Sequence, residues 1–370
     1  MKNFKMKKFK KWTALLAATV MAAGVLAGCG GTKASDSAGN AAKADTEAGA
    51  ASREASQVPE GTTVLLASHV FNDSHPWQQC LEKLGELLYE RTDGRYTVEV
   101  HPAAGLSGGS SRTLIEMVGN GGLDIMVHAS LSLEGFNPNY GVFALPFLFE
   151  DREQGLDILN HSEVGAQAMT WLESNGITGV ALCENGTRYL ANAVRQVRTP
   201  KDLAGLKIRV PESEVLLSEF KAWGADPTPM NMTEVYTAIQ QGTVDGNENN
   251  IPAIDSNKLY EVCPYITTTA HCWEPAWIFF NSELLDSLSE EDREIFIQAA
   301  KEAAEYEVQL EGESEEEKMK TFVEYGCEII ELTPEERAAF KAQVQPVYDE
   351  YRGKLGSELV DSIVKAVENY

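Results

Sequence analysis

Short apolar segments and helix-spaced apolar positions alternate through the body of the chain. Thr63 to Val70 predicts a strand. From Pro76 to Thr92 apolar residues recur at Trp77, Leu81, Leu84 and Leu88, the spacing of a helix with one buried face. Tyr96 to His101 alternates as a strand does, Arg112 to Val118 is helical up to the turn Gly119 to Gly122, and Leu123 to Val127 is strand again. This β-α-β-α-β order predicts an α/β sheet covered by helices. Gly179 to Cys183 and Lys207 to Val210 supply further strands. Between them Thr199-Pro200-Lys201-Asp202 starts a helix, with Thr at the N-cap and Pro at the first position. Thr233 to Gln241 is a helix closed by Gly242, and Val244-Asp245-Gly246 opens the next strand or turn.

The last third is helical and acidic. Ser289-Glu290-Glu291-Asp292 is an N-cap followed by acids that suit the helix dipole. Apolar positions continue through Ile295, Phe296, Ala299, Ala303 and Tyr306 toward Phe322, with Gly312 as a flaw. The run Glu313, Glu315 to Glu317 is a solvated helix face rather than a metal site. Thr333-Pro334-Glu335-Glu336 starts another helix.

The first residues change the picture. Met1 to Thr13 carry six lysines and no acid, and Ala14 to Val25 are almost entirely small and apolar. This is a secretory signal, too short to span a bilayer, which takes roughly 20 residues. Leu26-Ala27-Gly28-Cys29 has the form of a bacterial lipobox, with Cys29 as the lipid-bearing first residue of the mature chain. A thioether-linked diacylglycerol carries two acyl chains, enough for stable anchoring. Gly30 to about Pro59 is Gly, Ala, Ser, Thr, Asp and Lys without an aromatic residue. It reads as a flexible tether because it cannot bury enough apolar surface to fold.

Formal net charge is −25, and loss of the six signal lysines takes it to −31. Such a balance argues against nucleic acid as a partner, since that binding needs a basic face. Five cysteines follow Cys29: Cys80, Cys183, Cys263, Cys272 and Cys327. Export permits disulfides, and Cys263 with Cys272 is one candidate pair; buried free thiols are the expectation for most.

Against this acidic background two arginines sit at the ends of short apolar segments, Arg188 in Asn185-Gly186-Thr187-Arg188 and Arg209 in Lys207-Ile208-Arg209-Val210-Pro211. An arginine where a strand meets a loop suits bidentate recognition of a carboxylate. Further segments are Val142-Phe143-Ala144-Leu145-Pro146-Phe147, Leu203-Ala204-Gly205-Leu206, Pro227-Thr228-Pro229-Met230, Glu234-Val235-Tyr236 and Val244-Asp245-Gly246-Asn247-Glu248-Asn249. In order and spacing, from about residue 62 to 370, the chain resembles the extracytoplasmic solute-binding subunit of tripartite ATP-independent periplasmic transporters.

The resemblance implies an α/β, two-domain periplasmic-binding-protein fold with a hinge and a long helix packed across both domains. The corresponding division is 1–28 signal peptide, 29–60 tether, 61–185 plus 275–314 domain I, and 186–274 plus 315–370 domain II. It implies that Arg209 clamps a ligand carboxylate, with Arg188 and Asn249 as further contacts. Met232 stands where relatives often carry an aromatic residue. Glu212, Glu184 and Asn250 are candidates for reading ligand hydroxyls. His69 ends the first strand, beside an α/β crevice, and His271 and Trp273 lie near the expected hinge. The expected ligand is an organic acid, a hexuronate-type sugar acid ahead of a C4-dicarboxylate, which calls for more cations. Expected partners are that carboxylate, the transporter's membrane subunits and the lipid bilayer through Cys29. The protein is expected to be a monomer, lipid-anchored on the outer side of the cell membrane, without metal or cofactor. Two rival classes are a ligand sensor docking on a membrane receptor and a lipid-anchored glycosidase. The latter needs two carboxylates across a sugar ring, and acids such as Glu184 and Glu248 are too common here to single out a pair. There is no His-Glu-x-x-His or phosphate loop.

Overall fold

A computed structural model describes residues Pro59–Tyr370. The expected signal peptide, the lipidation site Cys29 and all but the end of the tether lie outside the described residues.

Nine strands form one sheet: β1 Thr63–Ser68, β2 Tyr96–His101, β3 Ile125–Ala129, β4 Ile177–Asn192, β5 Lys207–Val210, β6 Asp226–Pro229, β7 Gly246–Asn249, β8 Tyr265–Asn281 and β9 Glu328–Ile330. Their order is β2-β1-β3-β8-β4-β7-β5-β6, with β9 on β8. One half is parallel, β1 pairing with β2 and β3. The other is built around β5, parallel to β6 and β7. The long antiparallel strands β4 and β8 run through both halves and join them. Near the middle of β4 the register shifts between Glu184 and Gly186, and Gly186, at φ +79°, pairs with Glu274. That left-handed backbone favours glycine.

Alternation along the strands sends neighbouring side chains to opposite faces. Met126, Trp277 and Phe279 join an apolar cluster with Leu114, Phe143 and Phe220. Ile125, Val127, Ile278 and Phe280 join the other, with Leu81, Leu84 and Phe296. Both faces of the sheet are therefore covered, as the β-α-β pattern predicts.

The helix Glu290–Tyr325 runs unbroken for 36 residues, capped by Ser289, whose Oγ accepts from the Asp292 N–H, and closed by Gly326 at φ +115°. It packs on the helix Pro76–Arg91, on β4 and on the helix Ile251–Ser256, so it spans both halves. Gly312 does not interrupt it. A Cβ there would stand 2.8 Å from Arg152 Nη1, so the glycine lets that guanidinium lie against the helix. The last helix, Ser357–Glu368, packs on Pro138–Ala144, Arg152–His161 and Glu163–Ala168. Those segments belong to the first expected domain, whereas the end of the chain was expected wholly in the second; its buried Val360 and Ile363 join the Phe143 cluster. The five cysteines Cys80, Cys183, Cys263, Cys272 and Cys327 are buried free thiols, so Cys263 and Cys272 do not pair.

Candidate functional site

A cleft of about 760 Å³ opens where the parallel strands of the two halves end. Val70 and Phe71 follow β1, His128 and Ala129 end β3, Pro211 and Glu212 follow β5, Met230 to Met232 follow β6, and Asn249 ends β7. Asn185, Arg188 and Glu274, from the crossover strands, complete the back wall. Ligand sites of open α/β sheets lie at such carboxyl ends.

Arg209 is 4 % exposed. Its Nε and Nη2 donate to the Met230 carbonyl oxygen, at 2.9 and 2.6 Å. Among the described residues no carboxylate stands within 4.0 Å of its guanidinium. Burial lowers its pKa to about 10; the more distant Glu248, Glu274 and Glu212 oppose the fall only in part, and Arg188 adds to it. An arginine in this condition favours a guest anion.

Arg188, by contrast, is already paired. Its Nε and Nη2 donate to Glu248 Oε2 and Oε1 at 2.6 and 2.7 Å, Nη2 also to the Glu248 carbonyl, and Nη1 to Glu274 Oε2. Burial opposes its charge, and the two carboxylates more than compensate, holding its pKa above the ordinary arginine value. Of its five N–H donors one Nη1–H is left for a guest. Burial raises the Glu274 pKa; Glu248 is buried as deeply, yet Arg188 and His271 hold its pKa below the usual value.

Asn249 and Met232 line the cleft together, the Asn249 Nδ2 standing 3.4 Å from the Met232 sulfur. Glu212 is exposed at the rim.

Five expected site residues do not reach the cleft wall. Glu184 is buried behind it: it accepts from Arg152 and, at 2.7 Å, from Trp273 Nε1, while its carbonyl accepts from Trp77 Nε1 at 2.9 Å. It braces the shift in β4 rather than facing a ligand. Trp273 is directed to that carboxylate, with its ring against Gly155 and Phe149. Asn250 caps the helix Ile251–Ser256, accepting from Ala253 N–H at 2.6 Å and donating to Asn185. His271 is fully buried, 2.8 Å from Thr269 Oγ1 and 3.4 Å from Glu248 Oε2. His69 sits 2.9 Å from Gln78 Oε1, and burial lowers its pKa to about 4.

Several wall residues escaped the sequence reading: Ser111, Arg112, His128, Phe136, Asn231 and Glu274. Trp77 was legible only as an apolar helix position. The buried Trp77 reaches the cleft lining because the helix Pro76–Arg91 begins there, His75 Nδ1 accepting from the Trp77 N–H.

Comparison with known proteins agrees with this architecture. Residues 67–354 match the model of the DctP family, bacterial extracellular solute-binding protein, family 7. The 2,3-diketo-L-gulonate-binding periplasmic protein YiaO of Escherichia coli is 32 % identical over 286 residues, 77 % of this chain and 82 % of that one. The C4-dicarboxylate-binding periplasmic protein DctP of Rhodobacter capsulatus is 32 % identical over 308 residues, 82 % of this chain and 90 % of that one. Among solved structures, a TRAP periplasmic solute-binding protein from Sulfitobacter sp. NAS-14.1 with bound β-D-galacturonate superposes with a TM-score of 0.78 at 29 % identity, covering 83 % of this chain and 100 % of that one. The fold is accordingly the two-domain periplasmic-binding fold, and the chain belongs to family 7 of the bacterial extracellular solute-binding proteins, the solute-binding proteins of TRAP transport.

Proposed function

We propose that this protein captures a sugar acid of the hexuronate type and hands it to the membrane subunits of a TRAP transporter, held at the membrane by a lipid on Cys29. The observation that carries the ligand assignment is Arg209, a buried guanidinium on the cleft wall with a carbonyl as partner and, among the described residues, no carboxylate within ion-pair distance. Its fork meets the ligand carboxylate, Arg188 and Asn249 assist, and Met232 packs on the carbon frame. Glu212, Asn185 and Asn231 supply polar contacts for hydroxyls, and Phe71, Trp77 and Phe136 supply apolar faces for ring C–H groups. Relatives that bind 2,3-diketo-L-gulonate and galacturonate support this class.

The hinge of this proposal is the Glu184–Gly186 shift in β4 with Glu274 opposite. It separates 61–185 plus 275–314 from 186–274, the last helix travelling with the first body. Closure about such a point buries the ligand between the halves.

A second reading, a dicarboxylate, is favoured by Arg112. It lines the cleft, is largely exposed, and is held only by Glu116 at 3.1 Å and by the Phe136 ring. Titration calorimetry with D-glucuronate, D-galacturonate, succinate and D-glucose separates the readings. We expect the uronates to bind far better than succinate, and glucose to bind barely at all. Tight succinate binding with no response to uronates sinks the sugar-acid assignment but spares the clamp; glucose binding as tightly as glucuronate sinks both.

A further inference from the structure

His128 and Ser111 meet on the cleft wall in an arrangement that fixes the direction of a hydrogen bond. His128, at the end of β3, is 1 % exposed. Its Nδ1 accepts from the backbone N–H of Ala129 at 3.0 Å. A neutral imidazole has one donor and one acceptor nitrogen, and this contact favours the tautomer with the proton on Nε2. Burial lowers the ring's pKa to about 4, so it is neutral at ordinary pH. Nε2 stands 2.7 Å from Ser111 Oγ. In that tautomer the ring donates and the hydroxyl accepts. Among the described residues the Ser111 hydroxyl has no other side-chain partner, which leaves its proton to be given to a guest.

Ser111 also lies close to the carboxylate clamp. Its backbone N–H donates to Asn231 Oδ1 at 3.2 Å, and the neighbouring residue, Met230, supplies the carbonyl that holds the Arg209 guanidinium. One turn of chain thus anchors both groups, although Ser111 belongs to the first half of the sheet and Arg209 to the second.

We propose that Ser111 is a specificity-determining residue of this site and His128 its positioning residue: the pair presents a fixed donor to a ligand oxygen that lies near the carboxylate and carries no hydrogen, such as a 2-keto oxygen or a pyranose ring oxygen. The proposal rests on the sugar-acid reading above and deepens it. A hydrogen-free oxygen satisfies the donor fully, whereas an ammonium at the same place meets a donor and the like charge of the guanidinium groups.

Two measurements test this independently. Nitrogen-15 NMR of the histidine-labelled, ligand-free protein at pH 7 reads the tautomer of His128 directly. We expect an Nε2–H ring; an Nδ1–H ring overturns the assignment whatever the ligand. Titration calorimetry then compares 2-keto-D-gluconate with 2-amino-2-deoxy-D-gluconate, which differ at C2 in an oxygen against an ammonium. The keto acid should bind at least about ten-fold tighter, since one hydrogen bond is worth roughly that factor. Ser111→Ala should remove most of the ratio, and Ser111→Thr, which keeps the hydroxyl, should preserve it. Equal affinities in the wild type, or an unchanged ratio in Ser111→Ala, overturn the proposal. If neither these acids nor D-glucuronate bind, the sugar-acid reading fails, and the tautomer alone decides whether Ser111 is a fixed donor.

Discussion

Replacing Arg209 should separate binding from stability. The guanidinium is 4 % exposed, its pKa falls from 12.5 to about 10 through burial, and it has no carboxylate partner among the described residues. That fall corresponds to roughly 3 kcal/mol by which the folded, ligand-free protein disfavours the charge. The penalty is fully present below pH 10, where the arginine is protonated both folded and unfolded, and fades as pH rises through the folded-state pKa. A ligand carboxylate at the fork reverses it. Removing one member of a buried charge pair costs roughly 3–5 kcal/mol, so Arg209→Met should weaken D-glucuronate binding by about two to four orders of magnitude. The same change removes an unpaired buried cation while keeping apolar bulk. The ligand-free variant should therefore melt at the same temperature as the wild type or higher, not lower. Arg209→Lys should also bind poorly, because an ammonium cannot reproduce the fork. Thermal shift with and without D-glucuronate reads both effects at once. At a concentration ~100 times the dissociation constant, the ligand adds about 2.7 kcal/mol to the wild type and should add almost nothing to Arg209→Met. Unchanged affinity in Arg209→Met refutes the clamp. A large fall in the ligand-free melting temperature shows instead that the guanidinium is stabilised by its carbonyl contacts and that the burial reasoning is wrong.

Other perturbations follow from the same geometry and sequence. Cys29→Ala should shift the protein from the membrane fraction to the soluble one, or leave the signal uncleaved; a wild-type protein found soluble and without added mass at Cys29 removes the anchor. Because an anionic ligand approaches a chain of −31 after loss of the signal lysines, stopped-flow association rates should rise modestly with added salt, which screens over ~10 Å at 0.1 M; a steep fall would reveal a local basic funnel. His69 and His128 are buried neutral rings with pKa about 4 against 6.5 when unfolded. Their folded-state values are depressed, so stability is intact above pH 6.5 and is lost as pH falls toward 4, by about 2 kcal/mol per ring at pH 5. Urea denaturation of His128→Gln should show a shallower loss than the wild type between pH 7 and 5. At Gly186 a Cβ would stand 2.6 Å from Glu311 Oε1 on a φ of +79°, so Gly186→Ala should cost roughly 1–3 kcal/mol of folding stability by the same denaturation, and a neutral result would mean that β4 relaxes freely there.

The short strands were largely legible, whereas of the two crossover strands only Gly179 to Cys183, inside β4, stood out. Thr63–Ser68, Tyr96–His101 and Lys207–Val210 stand out as short segments of strand character between turns, and the caps at Ser289 and Thr333 mark helix starts that the structure uses. The crossover strand Tyr265–Asn281 was missed. It carries three consecutive threonines, Thr267 to Thr269, near its start and the buried Glu274 in its middle, and it ends in an apolar run packed on both faces, so it shows no alternation. Asp226–Pro229 reads as loop because two of its four residues are proline, which an edge strand tolerates. In the site, Arg209 was conspicuous as a cation ending a strand in an acidic chain. Glu184 was not interpretable from sequence: its partners Arg152 and Trp273 lie 32 and 89 residues away on other elements. Ser111 and His128 were invisible for the same reason, being joined only by the packing of a helix start against a strand end.

The division of labour between the two arginines bears on the ligand's charge. Arg188 is locked between Glu248 and Glu274 and brings the back wall one negative charge in excess when both acids are ionised. Glu248 and Glu274 act on Arg209 only at a distance, without an ion pair, so its guanidinium stays open to a ligand. One incoming carboxylate shifts the balance by a single charge and is met by the Arg209 guanidinium. A second carboxylate has no such buried partner and would face Glu274, whose own pKa burial already raises; its only recourse is Arg112 at the exposed end of the cleft, where solvent screens the pair and an exposed ion pair is worth about 0–1 kcal/mol. A one-carboxylate acid whose remaining oxygens are hydroxyl, keto or ring oxygens avoids that imbalance. On the proposed sugar-acid reading this charge balance disfavours a C4-dicarboxylate for a reason independent of shape, and it makes Arg112→Ala a discriminating change: nearly silent for glucuronate, costly for succinate.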